Sequence, residues 1–167
     1  MNQWLLSILV NNHFGVLTRI TALFGRRGYN ITALSVGETH DPALSRITIQ
    51  TQADGAGARQ ILRQLQKLED VKKAALLPVA ESVIRELILV KLTVPQARRE
   101  ELWKALSSFS VDLTYQDETN LIVSYTGCPD NCAAFLKALS PFTLKELCRT
   151  GVTAVSTLST LYNGTDV

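Results

Sequence analysis

The sequence predicts an α+β protein built from two tandem ferredoxin-like units, each with the element order βαββαβ. Three observations predict it. Apolar residues switch between a two-residue and a helical period in that order, the order runs twice, and the passes meet near Pro78 to Ser82. The expected domains are therefore 1–79 and 80–167.

Residues 3 to 10 are apolar and β-prone and stop at Asn11-Asn12, which reads as a central strand entering a turn. From Gly15 onward Val16, Leu17, Ile20, Leu23 and Phe24 fall at helical spacing, with Arg26 and Arg27 in the last turn and Gly28 placed to end the helix in the left-handed region. Residues 31 to 38 alternate, Thr32, Leu34 and Val36 against Ile31, Ala33 and Ser35. His40-Asp41-Pro42 turns the chain, and residues 44 to 51 return with Ile47 and Ile49 on one side. Ala58, Ile61, Leu62, Leu65 and Leu68 form a second helical stripe, and residues 71 to 79 close the unit.

The second pass starts with a strand from Val83 that stops at Pro95. A helix over 96–109 follows, with Leu102, Trp103 and Leu106 inward, then strands over 111–115 and 121–125. A helix over 129–139 is bracketed by Pro129 and Pro141, and extended structure runs from Thr143 through Ser156.

With 167 residues, 46% hydrophobic content and a net charge of +2, the chain carries no electrostatic footprint of a nucleic-acid or acidic-membrane binder. No apolar run is long enough to span a membrane, and the first ten residues are too short for an export signal, so a cytoplasmic protein is expected. The three cysteines, Cys128, Cys132 and Cys148, are odd in number and fit neither a C-x-x-C pair nor a zinc set; ordinary buried or half-buried thiols are expected, with no assigned role.

The candidate site is the turn from the first strand into the first helix: Asn11, Asn12, His13, Phe14, Gly15, Val16 and Leu17. The first amides of a helix have no helical acceptor and sit at the positive end of its dipole, so a small carboxylate or phosphate can dock there. Gly15 permits close approach, and Asn11 and Asn12 offer neutral donors and acceptors, a combination suited to a zwitterion. Asn12 can equally be a simple helix cap and Gly15 a turn residue. The second pass has Pro95-Gln96-Ala97-Arg98 in that place, so the site is expected only in the first. Strand 31–38 should lie at a sheet edge and invite a second copy to pair with it; Arg46, Glu38 and the neighbouring threonines could instead keep it solitary. In a dimer, Asn30 and Ile31 could reach the turn from the partner chain.

The residues resemble the small regulatory subunit family of acetolactate synthase (acetohydroxyacid synthase), whose N-terminal half is an ACT domain. Leu6 through Asn12 with Phe14 through Arg19 looks like the family's opening, and Leu23 through Ile31 is its most distinctive run. Leu44 to Thr51, Gln64 to Val71, Arg85 to Lys91 and Arg149 to Val152 continue the likeness. The resemblance implies residues 1–79 as an effector-binding, dimerising ACT domain and 80–167 as the part that contacts the catalytic subunit. It implies a non-catalytic chain that activates a partner carrying thiamine diphosphate, Mg and FAD, itself holding no cofactor or metal. Feedback inhibition by a branched-chain amino acid, usually valine, comes with it, the effector meeting Asn12 and Gly15 of one chain and Asn30 of another. His13-Phe14 departs from the family's commoner charged and small residues, as do Ala154 and Thr157-Leu158 from its end.

Other functions have thinner footing. His13 and His40 have no partner at catalytic spacing, Arg19 beside Asn12 is the nearest thing to the anion site of a small ferredoxin-like hydrolase, and Ile47 and Ile49 stand where an RNA binder would need aromatic rings. An ACT-domain sensor for a different enzyme or for transcription would look much the same at this turn.

Overall fold

The computed structural model describes residues 2–158. Strand β1 (Asn2–Asn11) points Leu6, Ile8 and Val10 into one core, as its two-residue period requires. Helix α1 (Val16–Arg26) covers them with Val16, Ile20, Leu23 and Phe24, and each such large apolar side chain contributes about 1.5–3 kcal/mol on burial. The helix ends as the glycine predicts. Gly28 has φ 69°, its N–H donates to the Gly25 carbonyl at 3.1 Å, and the Tyr29 N–H reaches back to Phe24 at 3.0 Å, a Schellman closure.

Strands β2 (Ile31–Glu38) and β3 (Leu44–Ala53) form the expected hairpin, helix α2 (Gly55–Leu65) follows, and β4 (Val71–Leu76) closes the unit. The antiparallel sheet has the order β2-β3-β1-β4, so β2 is an edge strand, with Val36 49% exposed. The strict alternation expected in β2 does not hold. A register shift between Ile31 and Ala33 inserts an extra residue, so Ile31 and Leu34, predicted on opposite faces, both pack on the core.

The second unit repeats the plan with β5 (Ser82–Thr93), α3 (Arg99–Ala105), β6 (Val111–Gln116), β7 (Asn120–Gly127), α4 (Pro129–Ala138) and β8 (Thr143–Arg149), in the sheet order β6-β7-β5-β8. Its core joins Ile88, Val90 and Leu92 to Leu102, Leu106, Val123 and Phe135. Tyr125 stacks on Phe135 at 4.8 Å, and Phe109 meets both rings edge-on.

Two expectations for this unit are corrected. The helix over 96–109 is one seven-residue helix preceded by a 3₁₀ turn at Gln96–Arg98. Pro95 holds the chain extended before it, and past its end the Ser107 hydroxyl donates back to the Lys104 carbonyl at 2.9 Å. Leu102 and Leu106 point inward as predicted, but Trp103 is 37% exposed, being off the four-residue stripe that joins them. The extended stretch from Thr143 is broken by Gly151 at φ 72°, after which β9 (Thr153–Ser156) also pairs with β5.

By packing, residues 2–83 and 152–158 group as one unit and 84–151 as the other. The division after residue 79 expected from sequence thus lies four residues earlier, and the segment from Val152 groups with the first unit. Residues 159–167 of the expected second domain lie outside the described residues. Cys132 is buried, Cys128 half-buried and Cys148 exposed; burial, then Glu86, pushes the Cys132 thiol up.

Candidate functional site

The turn is built by the collision of two requirements: β1 must leave the sheet and α1 must start over the core within four residues. Gly15 resolves it with φ 88°, a conformation costly for any residue with a Cβ, and nothing lies within 4 Å of where a Cβ would stand. Gly15 itself is the residue that caps α1, and no side chain caps the helix. In the same layer α2 is closed by Asp54, whose carboxylate accepts from the Gly57 N–H at 2.6 Å. In α1 the Val16 N–H reaches the His13 carbonyl only at 3.5 Å, and that of Arg19 meets Gly15 at 3.0 Å, which leaves an open, uncapped helix mouth facing solvent.

Asn12 is therefore not a helix cap. Its Nδ2 donates to Glu38 Oε1 at 3.0 Å and to the Pro42 carbonyl at 2.9 Å, tying the turn to the far end of β2 and leaving Oδ1 as an acceptor. The Asn11 N–H donates to the Asp70 carbonyl at 2.9 Å, and Asn11 Nδ2 lies 3.5 Å from Asp70 Oδ1. Val16 is buried in the core, Leu17 is 37% exposed, and Phe14 is fully exposed and does not fill the mouth.

His13 presents both ring nitrogens to acceptors, Nδ1 to the Phe14 carbonyl at 3.1 Å and Nε2 to Asp70 Oδ1 at 2.8 Å. A neutral imidazole can satisfy only one of them as donor, so the charged ring is favoured. The Phe14 carbonyl, then Asp70, raise the His13 pKa above its ordinary value, against burial and the charge of Arg19. Asp70 is buried, and its other oxygen accepts from Arg19 Nη1 at 2.7 Å. Burial pushes this carboxyl up, but the hydrogen bonds from His13 and Asn11 and the charges of His13 and Arg19 hold it below its ordinary value. Arg19 is thus held by Asp70, and Ile47 and Ile49 are buried against the helices and do not stand on the face an RNA binder would use; the β3 residues on that other face, Arg46, Thr48 and Gln50, include no aromatic ring.

Asn30 and Ile31 are not gathered with the turn within one chain. They follow α1, whose eleven residues span about 16 Å at the usual rise, so they lie at the opposite end of the helix from Gly15. Asn30 is exposed, and its carbonyl accepts from the Thr51 hydroxyl at 2.7 Å. The residue that sequence reasoning missed is Asp70. Its one sequence signal is an acid directly ahead of a strand, and its partners are 51 to 59 positions away.

In the second unit, an open hollow of about 160 Å³ on the sheet face is lined by Leu89, Lys91, Ile122, Glu146 and Cys148. Among the described residues, no group of three His, Cys, Asp or Glu side chains could hold a metal ion, and no helix is long and apolar enough to cross a membrane.

Comparison with known proteins is consistent across the chain. Residues 6–73 match the family described as AHAS small subunit-like ACT domain, and residues 85–157 match the small subunit of acetolactate synthase. A probable acetolactate synthase small subunit of Methanothermobacter thermautotrophicus is 40% identical over 153 residues, 91% of each chain. The small subunit of acetolactate synthase isozyme 3 of Salmonella typhimurium is 39% identical, over 91% of this chain and 94% of that one. The crystal structure of the acetolactate synthase small subunit of Thermotoga maritima superposes with a TM-score of 0.87 at 30% identity, covering 93% of this chain and 98% of that chain.

Proposed function

The chain belongs to the acetolactate synthase small-subunit family, and from that premise we propose that it is a regulatory subunit. It activates a catalytic subunit and makes it sensitive to a branched-chain amino acid, valine first among them. The catalytic partner, not this chain, carries thiamine diphosphate, Mg and FAD. The setting is the cytoplasm.

The observation that carries the site is the link between Asn12 and Glu38 at the end of β2. Two copies of β2 paired antiparallel about a two-fold axis at the strand's middle bring the start of one against the end of the other. Asn30 and Ile31 of the second copy then arrive beside Glu38 and Asn12 of the first, which no arrangement within one chain achieves. The effector's carboxylate meets the amides of the uncapped Phe14 to Leu17 turn, and its ammonium meets Asn12 Oδ1 and Glu38. Its aliphatic group is covered by Leu17 and Phe14, both exposed in the single chain and so available to it. Burying so small a side chain yields only a few kcal/mol, so selectivity against polar amino acids rests on the cost of leaving their polar groups unpaired.

The second unit makes the contact with the catalytic subunit. Its edge strands β6 and β8 hold out Leu113, Tyr115, Leu144 and Leu147, each 40–50% exposed. Regulation is linkage: the effector binds better to the arrangement that activates less. Titrating the chain into its catalytic subunit with and without L-valine tests this. Valine should lower both turnover and subunit affinity, and the catalytic subunit should lower valine affinity by the same factor. Unchanged affinities in both directions rule the coupling out.

A further inference from the structure

We propose that Asp70 is the positioning residue of the helix mouth and, through His13, makes effector binding depend on pH. The inference rests on the regulatory reading above. One carboxylate gathers donors from both sides of Gly15: Asn11 at the end of β1, His13 within the turn and Arg19 one turn into α1, the last two at 2.8 and 2.7 Å. Its own backbone carbonyl takes the Asn11 N–H as well. A buried carboxylate is costly unless donors surround it, so Asp70 is stable only while strand end, turn and helix start hold this relation, and the angle at Gly15 is set by it.

The same contacts place a titrating cation at the mouth. His13 faces Asp70 from the segment ahead of β4, the Phe14 carbonyl in its own turn, and Arg19 from α1, which competes for the same carboxylate; Glu38 of β2 stands on the other side of Asn12. With His13 charged, the mouth attracts a carboxylate more strongly. As pH rises and the ring loses its proton, that attraction goes. The expected loss in L-valine affinity is about two- to fourfold, the Coulomb contribution of one unit charge several ångströms away in water.

The test uses the full chain. The His13 imidazole is titrated by NMR in wild type, D70N and R19Q, and L-valine binding is measured by calorimetry from pH 5.5 to 8.5. D70N should lower the His13 midpoint and R19Q should raise it, opposite directions that loss of packing alone does not produce. Valine affinity should weaken with rising pH in wild type, weaken at lower pH in D70N, and show no pH dependence in H13Q. A His13 midpoint unmoved by D70N, shifts of one sign in both variants, or a wild-type profile in H13Q would overturn the proposal. A wild type that ignores valine at every pH would instead defeat the regulatory reading, while the NMR arm would still decide the role of Asp70.

Discussion

Replacing Gly15 by Ala separates what the turn needs for folding from what it needs for its ligand. Gly15 sits at φ 88°, and no atom lies within 4 Å of an added Cβ, so the substitution creates no clash. The whole cost is the backbone strain of a left-handed residue, about 1–2 kcal/mol, and Asn, which tolerates that region better, should cost less than half as much. In a domain of this size that lowers the urea midpoint by roughly 1 M. Trp4, whose Nε1 donates to the Ala53 carbonyl at 3.1 Å, reports on the first unit once Trp103 is replaced by Phe, the chain having two tryptophans. Urea unfolding followed by Trp4 fluorescence should therefore rank wild type above G15N above G15A. Valine response should follow a different order: both variants place a side chain in the open space of the mouth, and both should lose it. A G15A protein as stable as wild type would show that the positive φ is not required, and one that senses valine normally would show that the space is not the ligand's.

Two further outcomes concern the second unit. Arg149 meets Glu86 through two hydrogen bonds of 2.8 and 2.7 Å, and Glu86 is only 3% exposed, so R149A strands a buried carboxylate. Arg149 is itself 45% exposed, which places the loss near 2 kcal/mol, below the roughly 3–5 kcal/mol of a wholly buried pair. The double variant E86L/R149M should recover most of it in the same denaturation assay. Asp117 accepts the N–H groups of Asn120 at 2.6 Å and Thr119 at 2.8 Å, and these bonds, with the Asn120 side chain, push its pKa down to about 2. Because the folded value lies below the ordinary one, its contribution is complete at neutral pH and is lost as pH falls from about 4 towards 2. D117N should flatten that limb of the acid denaturation curve; an unchanged limb would contradict the assignment.

Much of the fold could be read from periodicity because the strands and helices of the first unit each carry a clean apolar stripe. Val16, Ile20, Leu23 and Phe24 specify one helix face, and Gly28 specifies where it stops. The uncapped mouth was legible only in part: Gly15 marked the turn, but Asn12 offered two readings until its amide was found on Glu38 and Pro42. Asp70 was not legible as a site residue, since its contacts exist only after β1, α1 and β4 have packed together. The bulge in β2 and the short α3 escaped for a related reason. Both are settled by local hydrogen bonding at Ile31 to Ala33 and at Ser107, where hydrophobic pattern says little.

In the proposed dimer, one effector site uses Asn12 of one chain and Asn30 of another. N12A and N30A should each fail to bind L-valine as homodimers. Mixed in equal amounts and allowed to exchange, half the dimers carry one intact site, and calorimetry should recover about a quarter of the wild-type valine capacity. No recovery from a mixture whose subunits demonstrably exchange would contradict a site shared between chains.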